Sequence, residues 1–153
     1  MVKRILSYNN KEDKEILTQK SEEVKDINEI KELIEDLKDT LRTSVVDARG
    51  ISAVQIGELK RVCLCKWDNR LITMINPIIT RTRGNQLFTE GCLSVPGVYK
   101  DIRRPQKVWC SYMDENGNMQ EIAEGGRMSD IIQHEIDHMD GVCLLDEELE
   151  ERK

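Results

Sequence analysis

The two histidines of the chain, His134 and His138, lie four residues apart in a Gln-His-Glu-Ile-Asp-His segment at residues 133–138. In an α-helix this spacing places both imidazoles on one face, one turn apart, where they can share a metal ion. Glu135 follows the first histidine, so its carboxylate can serve as a general base toward a water molecule at that metal. We interpret Asp137 either as a partner of a ligand histidine or an arginine, or as a plain surface acid. The segment predicts a metal-dependent hydrolase.

A catalytic metal site of this kind needs a third protein ligand and keeps one position open. Cys92 is a candidate, because a glycine before it and a Pro-Gly turn after it confine it to a structured loop, although a lone cysteine is more often a small buried hydrophobe. Cys63 and Cys65 are alternatives. They lie two residues apart on a predicted strand and therefore point to the same side of the sheet. Core thiols are the favoured interpretation of that pair, since no further Cys or His completes a second site.

A third segment, Gly-Ile-Ser-Ala-Val-Gln-Ile-Gly at residues 50–57, combines small residues with one uncharged polar side chain. Small residues allow the backbone to approach a ligand closely. If Gln55 is buried, its amide must find hydrogen-bond partners. A carbonyl oxygen that develops negative charge is a suitable partner, so Gln55 is a candidate oxyanion donor.

Composition limits the remaining possibilities. The 153 residues carry 23 basic and 29 acidic side chains, a net charge of −6, with 39% apolar and 4% aromatic residues. One domain with an aliphatic core is expected. The acidic balance argues against non-specific nucleic-acid binding. No apolar run approaches the roughly 18–20 residues that span a bilayer, and the N-terminus does not resemble a signal peptide. Five cysteines without an export signal predict reduced thiols and a cytoplasmic protein.

Periodicity predicts the elements that position these residues. Apolar residues recur at spacings of three and four from Ile27 to Leu41, which predicts a long N-terminal amphipathic helix with Asp26 as N-cap and Glu29 in a capping box. Residues 9–26 are expected to be irregular. Alternation and turn residues predict strands at 61–66, 71–75, 78–82, 107–113 and 118–123, with turns at 76–77 and 114–117.

A second helix is predicted from about residue 128 to 140, closed by Gly141, with a short apolar segment at 142–145 and a charged tail at 147–153. The order of helix, antiparallel strands and helix indicates an α+β fold. We therefore expect antiparallel strands packed around a C-terminal metal-binding helix, with a long N-terminal amphipathic helix beside them.

In this order, the three segments resemble the signature motifs of the peptide deformylases: Gly-x-Gly-x-Ala-Ala-x-Gln, Glu-Gly-Cys-x-Ser and Gln-His-Glu-x-Asp-His. The second motif is complete at residues 90–94 and the third at residues 133–138. The resemblance covers essentially the whole chain and implies a single catalytic domain over residues 1–153.

The first motif departs from the family pattern. Ala48 stands where the first glycine is usual, Ser52 replaces the first paired alanine, and Val54 replaces a common proline or threonine. Arg49 stands where many members have an aliphatic residue near the substrate pocket. On the last helix, Ser129 and Asp130 replace apolar or small residues, so the departures concern the pocket and leave the predicted metal ligands unchanged.

The resemblance implies removal of the N-terminal formyl group from methionine on newly made proteins. It implies that Cys92, His134 and His138 hold one divalent metal. The family typically uses Fe²⁺, and Zn²⁺ or Ni²⁺ are alternatives. The implied catalytic groups are Glu135 as general base and, at the oxyanion, the Gln55 amide and the backbone N–H of Leu93. The implied substrate-binding residues are Gly50, Arg49, Glu90 and Ile131. The implied partners are N-formylmethionyl nascent peptides near the ribosome, with no nucleic acid or membrane bound directly.

Two other functions compete with this one. A peptidase of the ordinary His-Glu-x-x-His type usually takes its third ligand downstream, where this chain has Glu147 and Glu148 but no histidine. A non-catalytic deformylase-like binding module, with the metal kept for stability, is suggested by Ala48, Arg49 and Asp130.

Overall fold

The structure, a computed structural model, describes residues 1–44 and 48–146, so the predicted charged tail at 147–153 lies outside the described residues. The described ranges contain three α-helices, seven β-strands and two short 3-10 turns. The helices are α1 (Lys11–Leu17), α2 (Lys31–Arg42) and α3 (Gly126–Met139), and the 3-10 turns are Ile27–Ile30 and Ala53–Ile56. The strands are β1 (Gly50–Ser52), β2 (Val62–Trp67), β3 (Arg70–Arg83), β4 (Gln86–Cys92), β5 (Val95–Arg104), β6 (Lys107–Met113) and β7 (Met119–Gly125).

The strands form two antiparallel sheets. Five strands are ordered β1-β2-β3-β6-β7, and β4 pairs with β5 in a separate hairpin. Helix α3 packs chiefly against β2 and β1. The predicted α+β arrangement of antiparallel strands around a C-terminal helix is confirmed. Among the described helices, none is long and apolar enough to cross a membrane.

The prediction of a long N-terminal helix is wrong. Helix α2 has 12 residues and begins at Lys31, after the 3-10 turn Ile27–Ile30. Asp26 caps that turn by accepting a hydrogen bond from the backbone N–H of Asn28, without the expected capping box. A 3-10 turn repeats every three residues, so its apolar side chains continue the stripe of α2 and imitate a single helix. The prediction that residues 9–26 are irregular is wrong over helix α1, which Asn10 caps by accepting a hydrogen bond from the backbone N–H of Asp13.

The predicted turn at residues 76–77 is also wrong, because β3 runs through it for 14 residues. The register shifts there, and Asn76 adopts a φ of +51°, which marks a β-bulge. The Asn76 side chain bonds both backbone groups of Val24, at 2.8 Å each. Pro77 is tolerated because a bulge does not require its missing N–H. The predicted turn at 114–117 is present, with Gly117 at a φ of +83°.

The core consists of aliphatic clusters on the two sides of the large sheet. One cluster joins the apolar face of α2 to β1 and β2. A second joins α3 to β2, β3 and β6 and contains Cys63 and Cys65, both fully buried. A third packs the N-terminal segment and Cys143 against the 3-10 turn Ala53–Ile56. Helix α3 contacts both β1 and that turn, so the packing of these clusters sets their relative positions.

Candidate active site

The predicted metal ligands meet where α3 faces the tip of the β4–β5 hairpin. The Nε2 atoms of His134 and His138 lie 3.2 Å apart, and Cys92 Sγ lies 3.2 Å from His138 Nε2. Cys92 is the last residue of β4 and pairs with Val95 across the tight turn. Cys63 and Cys65 belong to the core on β2 and take no part in this cluster.

The three donor atoms fit a tetrahedral metal ion. All of them lie within 4.8 Å of one another. A metal at about 2.0–2.1 Å from nitrogen and about 2.3 Å from sulfur separates its ligand atoms by roughly 3.3–3.6 Å, close to the distances seen here. Burial disfavours charge on Cys92, but His138 and His134 outweigh it and hold the pKa of the thiol well below its ordinary value. The sulfur is therefore in the thiolate form that binds metals.

A buried ion network supports His134 from behind. Its Nδ1 lies 2.7 Å from Glu90 Oε1, and Arg104 donates to both Glu90 oxygens, at 2.9 and 2.5 Å. Arg104 also donates to Asp137 Oδ2 at 2.7 Å, which favours the interpretation of Asp137 as a partner of an arginine over that of a plain surface acid. Although burial alone would raise the pKa of Glu90, Arg104 and His134 lower it strongly, so this carboxylate is ionised.

These contacts place Glu90 beside His134 and Arg104, and its role as a substrate-binding residue stays a prediction. Both of its carboxylate oxygens are engaged by Arg104 and His134, and the residue is 4% exposed. Arg104 was not predicted to belong to the site. The available signal was indirect: acids on an otherwise apolar helix need a cation, because an unpaired buried charge is costly.

Glu135 lies beside Ser52, the residue that precedes the 3-10 turn Ala53–Ile56. The Ser52 hydroxyl donates to Glu135 Oε1 at 3.0 Å, and burial of Glu135 raises the pKa of its carboxyl. Gln55 is also buried. Its Oε1 accepts from the Ser52 backbone N–H at 2.9 Å, which directs its Nε2 toward Ser94 Oγ, at 3.1 Å, and Cys92 Sγ, at 3.7 Å. The Gln55 amide thus faces the predicted metal centre.

A cavity of about 870 Å³ opens onto this centre. The side chains and backbone that line it include every predicted substrate-binding and catalytic residue, namely Arg49, Gly50, Gln55, Glu90, Leu93, Ile131 and Glu135. At Gly50 the backbone is so close to the site that a Cβ would lie 2.6 Å from Glu135 Oε2. The cavity wall also contains Arg127, which sequence reasoning did not single out.

The fold is an antiparallel α+β fold, and its last helix carries a His-Glu-x-x-His motif with a cysteine thiolate beside it. These features define a class of metal-dependent hydrolases with a Cys-His-His centre. Residues 2–153 match the family model described as polypeptide deformylase. The chain belongs to the peptide deformylase family.

Individual relatives agree with this assignment. The chain is 39% identical over 150 residues to a peptide deformylase of Fusobacterium nucleatum, covering 95% of this chain and 83% of the relative. It is 38% identical over 132 residues to one of Caldanaerobacter subterraneus, covering 86% and 82%. The crystal structure of peptide deformylase from Thermus thermophilus has a TM-score of 0.87 at 33% identity, covering 99% of this chain and 86% of that one.

Proposed function

We infer that this protein is a metal-dependent hydrolase that removes the N-formyl group from the N-terminal formyl-methionine of newly synthesised proteins. The observation that carries the inference is the convergence of Cys92, His134 and His138 beside the buried Glu135 carboxyl and the Gln55 amide. Residues 1–153 would form one catalytic domain acting in the cytoplasm. Its partners would be N-formylmethionyl nascent peptides, met near the ribosome where they emerge.

Cys92, His134 and His138 would hold one divalent metal. A thiolate with two imidazoles is a donor set compatible with Fe²⁺, Zn²⁺ and Ni²⁺, and we propose Fe²⁺. When bound, the metal supplies Lewis acidity toward a water molecule and the formyl carbonyl. Glu90 would hold His134 in the tautomer whose Nε2 lone pair faces the site, because Nδ1 donates to it.

Glu135 would act as the general base and then as the general acid. Its carboxylate takes a proton from the attacking water and returns it to the nitrogen of the departing methionine, so formate and a free amine leave. Burial raises the pKa of this carboxyl, which improves it as a proton carrier near neutral pH. Ser52, which donates to Oε1, would keep the carboxylate aimed at the cavity.

The oxyanion that forms on the formyl oxygen would be stabilised by the Gln55 amide N–H and the backbone N–H of Leu93. The substrate backbone would lie along β1 at Gly50, since among the described strands β1 pairs with β2 alone and its other edge is available for strand addition. Arg49 and Ile131 would contact the peptide beyond the formyl group.

The deciding experiment measures formate release from formyl-Met-Ala-Ser by protein purified without oxygen and loaded with iron or nickel. Turnover is expected, and Glu135→Gln should reduce kcat by roughly 10²–10⁴ with metal retained. Glu58→Gln, an exposed acid, is the matched control. No formate at full metal occupancy would contradict the proposed activity and favour the binding module. Full activity of Glu135→Gln would contradict its role.

The peptidase alternative is not favoured. Among the described residues, Cys92 takes the third position beside the two histidines. Glu147 and Glu148, the downstream candidates, lie outside the described residues. Family membership supports deformylation over internal peptide cleavage.

A further inference from the structure

The charged side chains around the cavity are sorted by sign. Its acidic lining residues Glu90, Asp130 and Glu135 are each at most 4% exposed. Its basic lining residues are accessible: Lys3 is 41% exposed, Arg127 is 24% exposed, and Arg49 is exposed. Within the described part of the lining, a peptide in the cavity therefore meets positive charge and no exposed carboxylate. The pattern opposes the net charge of −6 of the whole chain.

Arg127 is held in place at the cavity wall. Its Nη1 donates to the Thr89 carbonyl at 3.1 Å and to Asp130 Oδ2 at 2.8 Å, while the guanidinium lies 5.5 Å from the Phe88 ring centroid. A guanidinium has five N–H donors, so these two bonds leave others available to a ligand. Arg127 lies seven residues before His134 on α3, a spacing that keeps both side chains on the same helix face.

The contact with Asp130 does not cancel the charge of Arg127. Burial and the adjacent Glu90 carboxylate raise the pKa of Asp130 to about 8. This raised pKa favours the neutral carboxyl group, and Asp130 Oδ1 also lies 3.5 Å from Arg104 Nε, so Asp130 is not a counter-charge dedicated to Arg127. The positive charge of Arg127 remains available to the cavity.

The Arg49 side chain is oriented by Trp67, and its backbone is hydrogen-bonded to Lys66. Its guanidinium lies 5.2 Å from the centroid of the Trp67 ring, and its backbone carbonyl accepts a hydrogen bond from the Lys66 N–H at 2.6 Å. Arg49 directly precedes Gly50, where the substrate backbone would lie. A side chain of the bound peptide near β1 would therefore experience the Arg49 charge at short range.

We propose that the cavity selects formylated peptides with an acidic side chain close behind the formyl-methionine, through Arg49 and Arg127. The proposal rests on the proposed deformylase function and adds the class of substrate. A cleft with accessible charge of one sign concentrates ligands of the other sign, and the low-dielectric wall strengthens that attraction. Basic peptides are disfavoured by the same charges.

The test compares formyl-Met-Glu-Ser, formyl-Met-Gln-Ser and formyl-Met-Lys-Ser with the metal-loaded protein. The expected order of kcat/KM is Glu, Gln, Lys, with about a tenfold difference between the first and last at low salt that shrinks toward one near 1 M salt. Arg49→Gln should reduce the ratio of kcat/KM for the glutamate peptide to kcat/KM for the lysine peptide several-fold. Arg81→Gln removes an equal charge from an exposed position on β3, outside the cavity lining, and should leave the ratio unchanged.

A second readout does not depend on turnover. In a Glu135→Gln, Trp109→Phe background, Trp67 is the only tryptophan and reports peptide binding near Arg49. The glutamate peptide should bind more tightly than the lysine peptide. The proposal is overturned if the glutamate and lysine peptides have equal kcat/KM and equal affinity, or if the lysine peptide is preferred. It is also overturned if Arg49→Gln leaves the ratio of the two kcat/KM values unchanged. In both cases the deformylase activity stands. A binding preference without formate from any peptide supports the selection and overturns the activity instead.

Discussion

The His134 Nδ1 atom lies 2.7 Å from an oxygen of Glu90, a residue 44 positions earlier in the chain. The same carboxylate is clamped by Arg104, so the imidazole is fixed by a group that cannot rotate freely. Metal-binding histidines commonly depend on such a partner for their orientation and basicity. The geometry of the metal centre therefore depends on residues of β4 and β5 as well as on helix α3.

Glu90→Gln should weaken metal binding by roughly 10- to 100-fold, because a neutral amide accepts the His134 proton less strongly. Competition with a chromophoric chelator measures the change. Asp137→Asn is the control, since the Asp137 carboxylate bonds Arg104 at 2.7 Å and, among the described residues, has no hydrogen bond to a ligand histidine, so the effect should be smaller. Unchanged affinity in Glu90→Gln would show that this contact does not orient the histidine.

Ser52→Ala should shift the acidic limb of the kcat/KM profile to higher pH. Burial already raises the pKa of Glu135, and the Ser52 hydroxyl opposes this rise by bonding the ionised form. Without that bond the pKa rises further, so more of the base is protonated and inactive at pH 6 than at pH 8. The control is Ser129→Ala, which removes a buried hydroxyl that donates to the Pro105 carbonyl. It should leave the acidic limb of the kcat/KM profile at the same pH. A shift toward lower pH in Ser52→Ala is the contrary result.

Gly50→Ala should lower kcat/KM by at least about tenfold and cost about 1–3 kcal/mol of stability, as overpacking does. The new Cβ would lie 2.6 Å from Glu135 Oε2 and 2.9 Å from the Leu64 carbonyl oxygen, and this backbone cannot swing away. Urea unfolding and formate release measure the two effects. In the control, Gly91→Ala, the three atoms nearest to the new Cβ all belong to the exposed Tyr99 ring, which can move, so a similar loss of stability there would refute the explanation.

Asp130→Asn should become more stable relative to the unmodified protein as pH rises from about 4 to 8. The pKa of Asp130 is raised from 3.8 to about 8, so between these values the folded state holds a proton that the unfolded state has lost. The contribution of protonated Asp130 to the free energy of unfolding is complete below pH 4 and disappears as pH rises through 8. Asparagine does not titrate. Urea midpoints at pH 5, 7 and 8.5 measure the difference, with exposed Asp101→Asn as control. A constant difference across these pH values would contradict the assignment.

Much of the site could be predicted because its signals are local. A spacing of four residues places two histidines on one helix face whatever surrounds them, and the Cys92 and Gln55 segments were recognisable as short motifs. The hairpin between β6 and β7 followed from alternation and an Asn-Gly turn. The boundary between the 3-10 turn and α2 was not predicted, because both give apolar residues at a spacing of three.

What the sequence alone determined was the identity of the reactive groups and the elements that carry them. Only the tertiary structure decided how those groups support one another. Ser52 contacts Glu135 across 83 residues of sequence, and Arg104 joins Glu90 to Asp137 between β4 and α3. Such contacts depend on how the sheets and helices pack, and no periodicity within one segment records which distant charge or hydroxyl will lie beside it.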